Sequence, residues 1–314
     1  MIYFLSFIFI ISLPIFLHEL GHFLAARSVG IKVEKFYFGF NFFGLGIKKK
    51  YKETEYGIGL FPLGGYVKVA GILDESLDKN TETEKKDYEF RSKNVFQKLW
   101  FLSAGVIMNF ILSISIFTCI FYSIGIEEVI DKPIIGGIQN EVTTFDVNKD
   151  FIPVKAPAKI LGLKEGDEIV TINGYQINSW TDIGRIVNAN RESLVHITWK
   201  RENKPYDGET YIVSTPIPEG FSIEERGVLG IIATTNHKNL AILESIKFSV
   251  FRTFQIIKDT FYGFIGLISG NFPLKYMTGI VGIANIAGET AQQDQALLKL
   301  FFLMAFISAN LGLL

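Results

Sequence analysis

MIYFLSFIFIISLPIFLHELGHFLAA, residues 1–26, carries no charge over its first seventeen positions and then sets His18, Glu19 and His22 into the same apolar run. A secretory signal opens with basic residues and closes at a small-residue cleavage site. This stretch does neither before Arg27. It predicts one membrane-spanning helix over residues 2–26, long enough to cross with tilt and with a kink at Pro14. Ionisable side chains inside a span are costly and mark function. On a helix, His18 and His22 stand one turn apart on the same face, so both imidazoles can reach one metal ion. Glu19 lies about 100° round from His18, the place for a general base that takes a proton from a zinc-activated water.

Outward from this stretch, three further apolar segments are expected as spans, at 99–126, at about 242–269, and from Ala296 to the last residue, Leu314. The third is amphipathic in its first half, with Glu244, Lys247, Arg252 and Lys258. The loop at 27–98 holds KKK at 48–50, then YGIGLFPLGGYVKVAG at 56–71 with five glycines and a proline, then a charged run over 74–90. The middle stretch suits short strands and turns rather than a helix, and the charged run suits a solvated loop. Residues 127–238 form a polar insert of domain length. Strands are expected at 168–174, 193–201 and 210–217, with a helix at 181–190. The fold class is therefore a multi-pass α-helical membrane protein with a loop of short strands after its first span and an inserted α+β domain. Its parts are 1–126, 127–238 and 239–314.

Net charge over the 314 residues is −1, which gives no electrostatic footprint for nucleic acid. A single cysteine, Cys119, can form no internal disulfide. Segment 27–98 has fourteen Lys and Arg against ten Asp and Glu, whereas 127–238 has twelve against seventeen. Basic residues beside spans favour the cytoplasm, so the first loop is expected there and the insert on the other side. The longer pattern HExxHxxGxxH is absent, because Ala25 and Ser28 replace its last glycine and histidine. The third ligand must therefore come from elsewhere in the fold.

Several stretches, in this order and spacing, resemble the site-2 protease family of intramembrane zinc metalloproteases, of the bacterial regulator-of-sigma-factor type. They are HELGHFLAAR, GLFPLGGYVKVAG, FRSKNVFQKLWFLSAGVIMNF, TGIVGIANIAGETA and FISANLGLL, with the insert between the third and fourth. The resemblance covers nearly the whole chain. It implies a Zn2+ endopeptidase of the bacterial cell membrane, with its active site toward the cytoplasmic side. Its substrates would be transmembrane segments of single-pass proteins, such as anti-sigma factors or leftover signal peptides. His18 and His22 would be ligands and Glu19 the catalytic base. Gly64, Gly65 and Tyr66 would lie in a membrane-associated β-hairpin loop, residues 56–71, that receives the substrate as an extended strand.

APAKILGLKEGDEIVTINGYQINSW, 156–180, resembles bacterial PDZ domains. Such a domain would either capture chain ends or exclude bulky ectodomains. In this family the second span reads AGP and then Asn, where this chain has Ala104, Gly105, Val106 and Asn109. The family's third ligand is an aspartate in a motif expected beyond Leu314, and with His18 and His22 alone zinc would bind weakly. The alternative is a catalytically inactive membrane adaptor that holds partner chain ends through its PDZ-like domain.

Overall fold

The computed structural model describes residues 1–40, 46–72, 86–146, 150–273 and 279–312, with backbone only at 61–63. The charged run therefore lies outside the described residues up to position 85. The chain divides into two compact units. One comprises Met1–Ile124, Leu240–Phe261 and Lys275–Leu314; the other comprises Gly125–Asn239 and Tyr262–Leu274.

In the first unit, helix α1 (Ile2–Ser28) is unbroken through Pro14. Four strands follow: β1 (Val33–Phe40), β2 (Gly46–Tyr51), β3 (Thr54–Gly59) and β4 (Phe61–Val69). Helix α2 (Val95–Ile124) comes next. At 27 and 30 residues, α1 and α2 are both long and apolar enough to cross a membrane. At 1.5 Å per residue each reaches about 40 Å, against a hydrocarbon core of about 30 Å. Large apolar side chains stand outward on both, among them Phe4, Leu5, Leu24, Leu102 and Ile111. Such an exposed apolar surface is suited to lipid rather than water.

The sheet corrects one expectation. Its order is β2-β3-β1-β4. β1 runs parallel to β3, with Phe36 beside Tyr56, and antiparallel to β4, with Tyr37 beside Tyr66. Residues 56–71 therefore do not form a hairpin, because β1 lies between their two strands. The hairpin is made instead by β2 and β3, closed between Tyr51 and Thr54 with Lys52 at φ +53°. The physical reason is burial on two faces. β1 hides Val33 and Tyr37 and sets Phe36 and Phe38 against Phe16 of α1, so it takes a central place. Lys48, Lys49 and Lys50 are exposed and take the edge, where charge protects an unpaired ladder.

The second unit carries β5 (Ile126–Val129), β6 (Ile135–Ile138), β7 (Glu141–Phe145), β8 (Phe151–Lys155), α3 (Pro157–Leu161), β9 (Glu168–Ile172) and β10 (Tyr175–Gln176). It continues with α4 (Trp180–Ala189), β11 (Leu194–Arg201), β12 (Lys204–Tyr211), β13 (Val213–Glu219), β14 (Ser222–Val228), β15 (Ile231–Ala233) and β16 (Thr235–Lys238). Asn173 and Gly174 both take positive φ and close the β9–β10 turn, as an Asn-Gly pair should. Ser179 caps α4 by accepting from the Asp182 amide at 3.0 Å. Ile169, Ile172, Ile183, Val195, Ile197 and Ile212 fill the core beneath α4. The run expected as one strand at 210–217 is broken at Ile212. β12 pairs with β11, whereas β13 pairs with β14, so the ladder changes partner there.

The chain then forms α5 (Ile242–Ile268), α6 (Ile280–Thr290) and α7 (Ala296–Leu311). α5 carries Glu244, Lys247, Arg252, Lys258 and Asp259, and α7 has only 16 residues. Among the described residues only α1 and α2 satisfy both length and apolarity for a span. α6 and α7 pack on α1 and α2 through Ile10, Ala287, Leu300 and Met304. Gly288 lets α6 lie against the Tyr3 ring.

Candidate metal centre

α1 delivers His18 and His22 to the same point. Their Nε2 atoms are 3.1 Å apart, and the rings meet edge to face at 4.8 Å between centroids. Two nitrogens bound tetrahedrally to one zinc at about 2.0–2.1 Å would stand about 3.3 Å apart. His22 Nδ1 lies 2.8 Å from the Phe101 carbonyl oxygen. A carbonyl only accepts, so Nδ1 carries the proton and Nε2 keeps its lone pair. A backbone acceptor behind a histidine is the usual support of a metal ligand.

α2 makes room for both rings. A Cβ on Gly105 would fall 2.6 Å from His18 Nε2 and 2.6 Å from His22 Nε2. Gly21 of HELGH has the converse duty: a Cβ there would come within 2.5 Å of the Ala104 carbonyl oxygen. Small residues thus let the two spans approach at the histidines. On α2, Asn109 faces His18 Nδ1 at 3.2 Å and is fully buried. Its backbone carbonyl accepts from Ser308 Oγ of α7 at 2.8 Å, which ties a third helix to the same turn.

Glu19 points toward the sheet rather than toward α2. The Val67 amide of β4 donates to its carboxylate. A Cβ on Gly65 would lie 3.1 Å from Glu19 Cγ and 2.8 Å from the Tyr37 carbonyl oxygen. Gly65 is thus the closest of the three loop residues to the motif. Gly64 lies flat against the Phe40 ring. Tyr66 stacks on Tyr37 at 5.0 Å with the rings 4° from parallel. Tyr37 in turn donates to Glu55 at 2.6 Å. That bond, with Lys48, Lys35 and Lys50 nearby, holds the Glu55 carboxyl below the usual carboxylate range.

The residues present suit zinc: two convergent imidazole nitrogens and a glycine cradle that a methyl would fill. Among the described residues no group of three or more His, Cys, Asp and Glu side chains is placed to hold a metal. The Gly105 cradle, the Phe101 carbonyl and the Ser308 tie are absent from the motif-based reading. Backbone acceptors leave no residue-type signal; the one signal available was the small pair Ala104-Gly105 inside an apolar span, which allows a close crossing.

Residues 6–314 match peptidase family M50. A Campylobacter jejuni protein whose name assigns it provisionally to the zinc metalloproteases is 33% identical, over 99% of this chain and 78% of that one. The zinc metalloprotease RasP of Geobacillus kaustophilus is 27% identical, over 98% of this chain and 84% of that one. The regulator of sigma-W protease RasP of Bacillus subtilis is 26% identical over the same shares. Among solved structures, the PDZ domain of the SdrC-like protein of Listeria monocytogenes aligns with 35% of this chain and 94% of its own. At 17% identity and a TM-score of 0.24, that likeness carries no weight for the fold. With its histidine pair, glutamate and apolar helices in one unit and nearly its whole length matched, the chain belongs to peptidase family M50, the membrane-embedded site-2 zinc metalloproteases.

Proposed function

We propose that this protein is an intramembrane zinc endopeptidase that cuts transmembrane segments of single-pass proteins, anti-sigma factors or signal-peptide remnants among them. The observation that carries the proposal is the pair of Nε2 atoms 3.1 Å apart within a helix long and apolar enough to span a bilayer. His18 and His22 hold the zinc, and a ligand from outside the described residues completes the set. Zinc, when bound, acts as a Lewis acid and lowers the pKa of water toward neutrality.

The chain's own residues supply the rest. A carboxylate oxygen of Glu19 takes the proton from the attacking water and passes it to the leaving amide nitrogen. A helical substrate shields its peptide bonds, so it must unwind before it is cut. β4 is the last strand of the sheet order, with β1 on one side only. An extended substrate added at that strand regains backbone hydrogen bonds. Gly64 and Gly65 have no side chains to block it, and Tyr66 stands next in line. α5 and α7 are read as further crossings, which makes the protein multi-pass. The loop with β1–β4 is assigned to the cytoplasmic side of a bacterial cell membrane by its Lys and Arg excess. Residues 127–238 are assigned outside as a PDZ-like module that either captures chain ends or admits only trimmed substrates.

The test is cleavage of a single-pass reporter with a short ectodomain in vesicles. The wild-type protein is expected to release the cytosolic fragment. Glu19→Gln is expected to release none while keeping its fold and its zinc. Release by that variant refutes the proposed mechanism. A wild-type protein that neither cuts nor binds zinc is instead the adaptor.

A further inference from the structure

Asn109 is fully buried, and its side chain leaves one atom unexplained. Nδ2 faces His18 Nδ1 at 3.2 Å, while Oδ1 is buried with no hydrogen-bond partner. A half-turn of the amide exchanges the two atoms with almost no change of shape. Each orientation fixes a different tautomer of His18.

With Nδ2 toward the ring, His18 Nδ1 accepts and Nε2 carries the proton. That proton points at His22 Nε2, 3.1 Å away, which is free to accept because His22 Nδ1 donates to Phe101. The bonds run unbroken from Asn109 through both histidines to Phe101, and no lone pair is left for a metal. With Oδ1 toward the ring, His18 Nδ1–H donates to it. Both Nε2 lone pairs are then bare and aimed at one point, which is stable only with a cation between them. This second orientation gives Oδ1 a partner and moves Nδ2 to the buried place that Oδ1 held.

We propose that Asn109 is a positioning residue for His18. Its side-chain carbonyl accepts the Nδ1 proton when the metal is bound, and its amide turns over when the metal leaves. The inference rests on the reading of His18 and His22 as zinc ligands. The Asn109 backbone is held by Ser308 Oγ, so the turnover is a side-chain motion and not a helix shift. The Gly105 carbonyl is a second acceptor near the His18 ring, so removing the amide weakens the site rather than erasing it.

The experiment measures Zn2+ affinity of the full chain in detergent by competition with a chromophoric chelator. Asn109→Leu is expected to weaken binding by about 10–100-fold, the range for lost outer partners of metal ligands. Asn109→Asp, which can only accept, is expected to bind at least as tightly as wild type. In 15N-histidine spectra of the wild type, the His18 proton is expected on Nδ1 with zinc and on Nε2 without it. Wild-type affinity in Asn109→Leu, equal weakness in both variants, or an unchanged His18 tautomer would overturn the role given to Asn109. His18→Phe retaining wild-type affinity would instead overturn the ligand assignment itself.

Discussion

Gly105→Ala tests the metal centre with the smallest possible change. The new methyl carbon would lie 2.6 Å from both ring nitrogens. Nonbonded carbon and nitrogen prefer about 3.5 Å, so the shortfall is about 0.9 Å toward each ring. Zinc needs the same space, since it must stand about 2.0–2.1 Å from those two atoms. Retreat of α2 would open the close contact between Gly21 and Ala104 on the same stretch. The helix itself should not suffer, because alanine is favoured over glycine in a helix interior by about 1 kcal/mol. The expected outcome is a folded protein whose zinc affinity falls by at least about 100-fold, or about 2.8 kcal/mol at 1.4 kcal/mol per decade. The assay is zinc per chain after dialysis against graded chelator, with circular dichroism to confirm the helices. A variant that keeps wild-type zinc affinity would refute the convergence of His18 and His22 over Gly105.

Other perturbations separate the parts of the account. Gly65→Val crowds Glu19 Cγ and the Tyr37 carbonyl without touching the histidines, so reporter cleavage should fall at least about tenfold while zinc content holds. Arg201→Met strands the fully buried Asp167, which Arg201 now holds through Nε and Nη2 at 2.7 Å each. It should destabilise the second unit by about 3–5 kcal/mol, read as faster amide exchange in β9 and β11 of the full chain. His237 is raised above the usual histidine range by its bond to Glu127, and that same residue, Glu127, is lowered below the carboxylate range by Thr235 and His237. The histidine's contribution is complete below the ordinary histidine value and is lost as pH rises through its raised one. The glutamate's contribution is lost as pH falls through its lowered value. Protection of β5 and β16, corrected for intrinsic exchange, should therefore drop as pH rises from the ordinary histidine value through the raised one, and His237→Gln should abolish that drop.

The sequence made some of this legible because the cause was local. An uncharged run fixed α1, and a four-residue spacing fixed the meeting of His18 and His22. Asn173-Gly174 fixed its turn through backbone preference alone. What was missed depended on partners distant in sequence. Nothing within YGIGLFPLGGYVKVAG says that β1 will lie between its two strands. That follows from Phe36 and Phe38 finding Phe16, which is a tertiary contact. Likewise TYIVSTPI reads as one strand, and only the pairing of β11 with β12 and of β13 with β14 divides it at Ile212. Asn109 was visible as a polar residue inside a span, but its place against His18 rather than in a plain helix contact required the fold.

The proposed mechanism depends on His18 and His22 jointly binding one zinc within the first unit. Zinc-edge X-ray absorption of the wild-type protein addresses it directly. The expected result is about one zinc per chain with two imidazole nitrogens at about 2.0–2.1 Å, and loss of one of them, or of the metal, in His18→Phe. A zinc shell with fewer than two imidazoles, or one unchanged in His18→Phe, would contradict it.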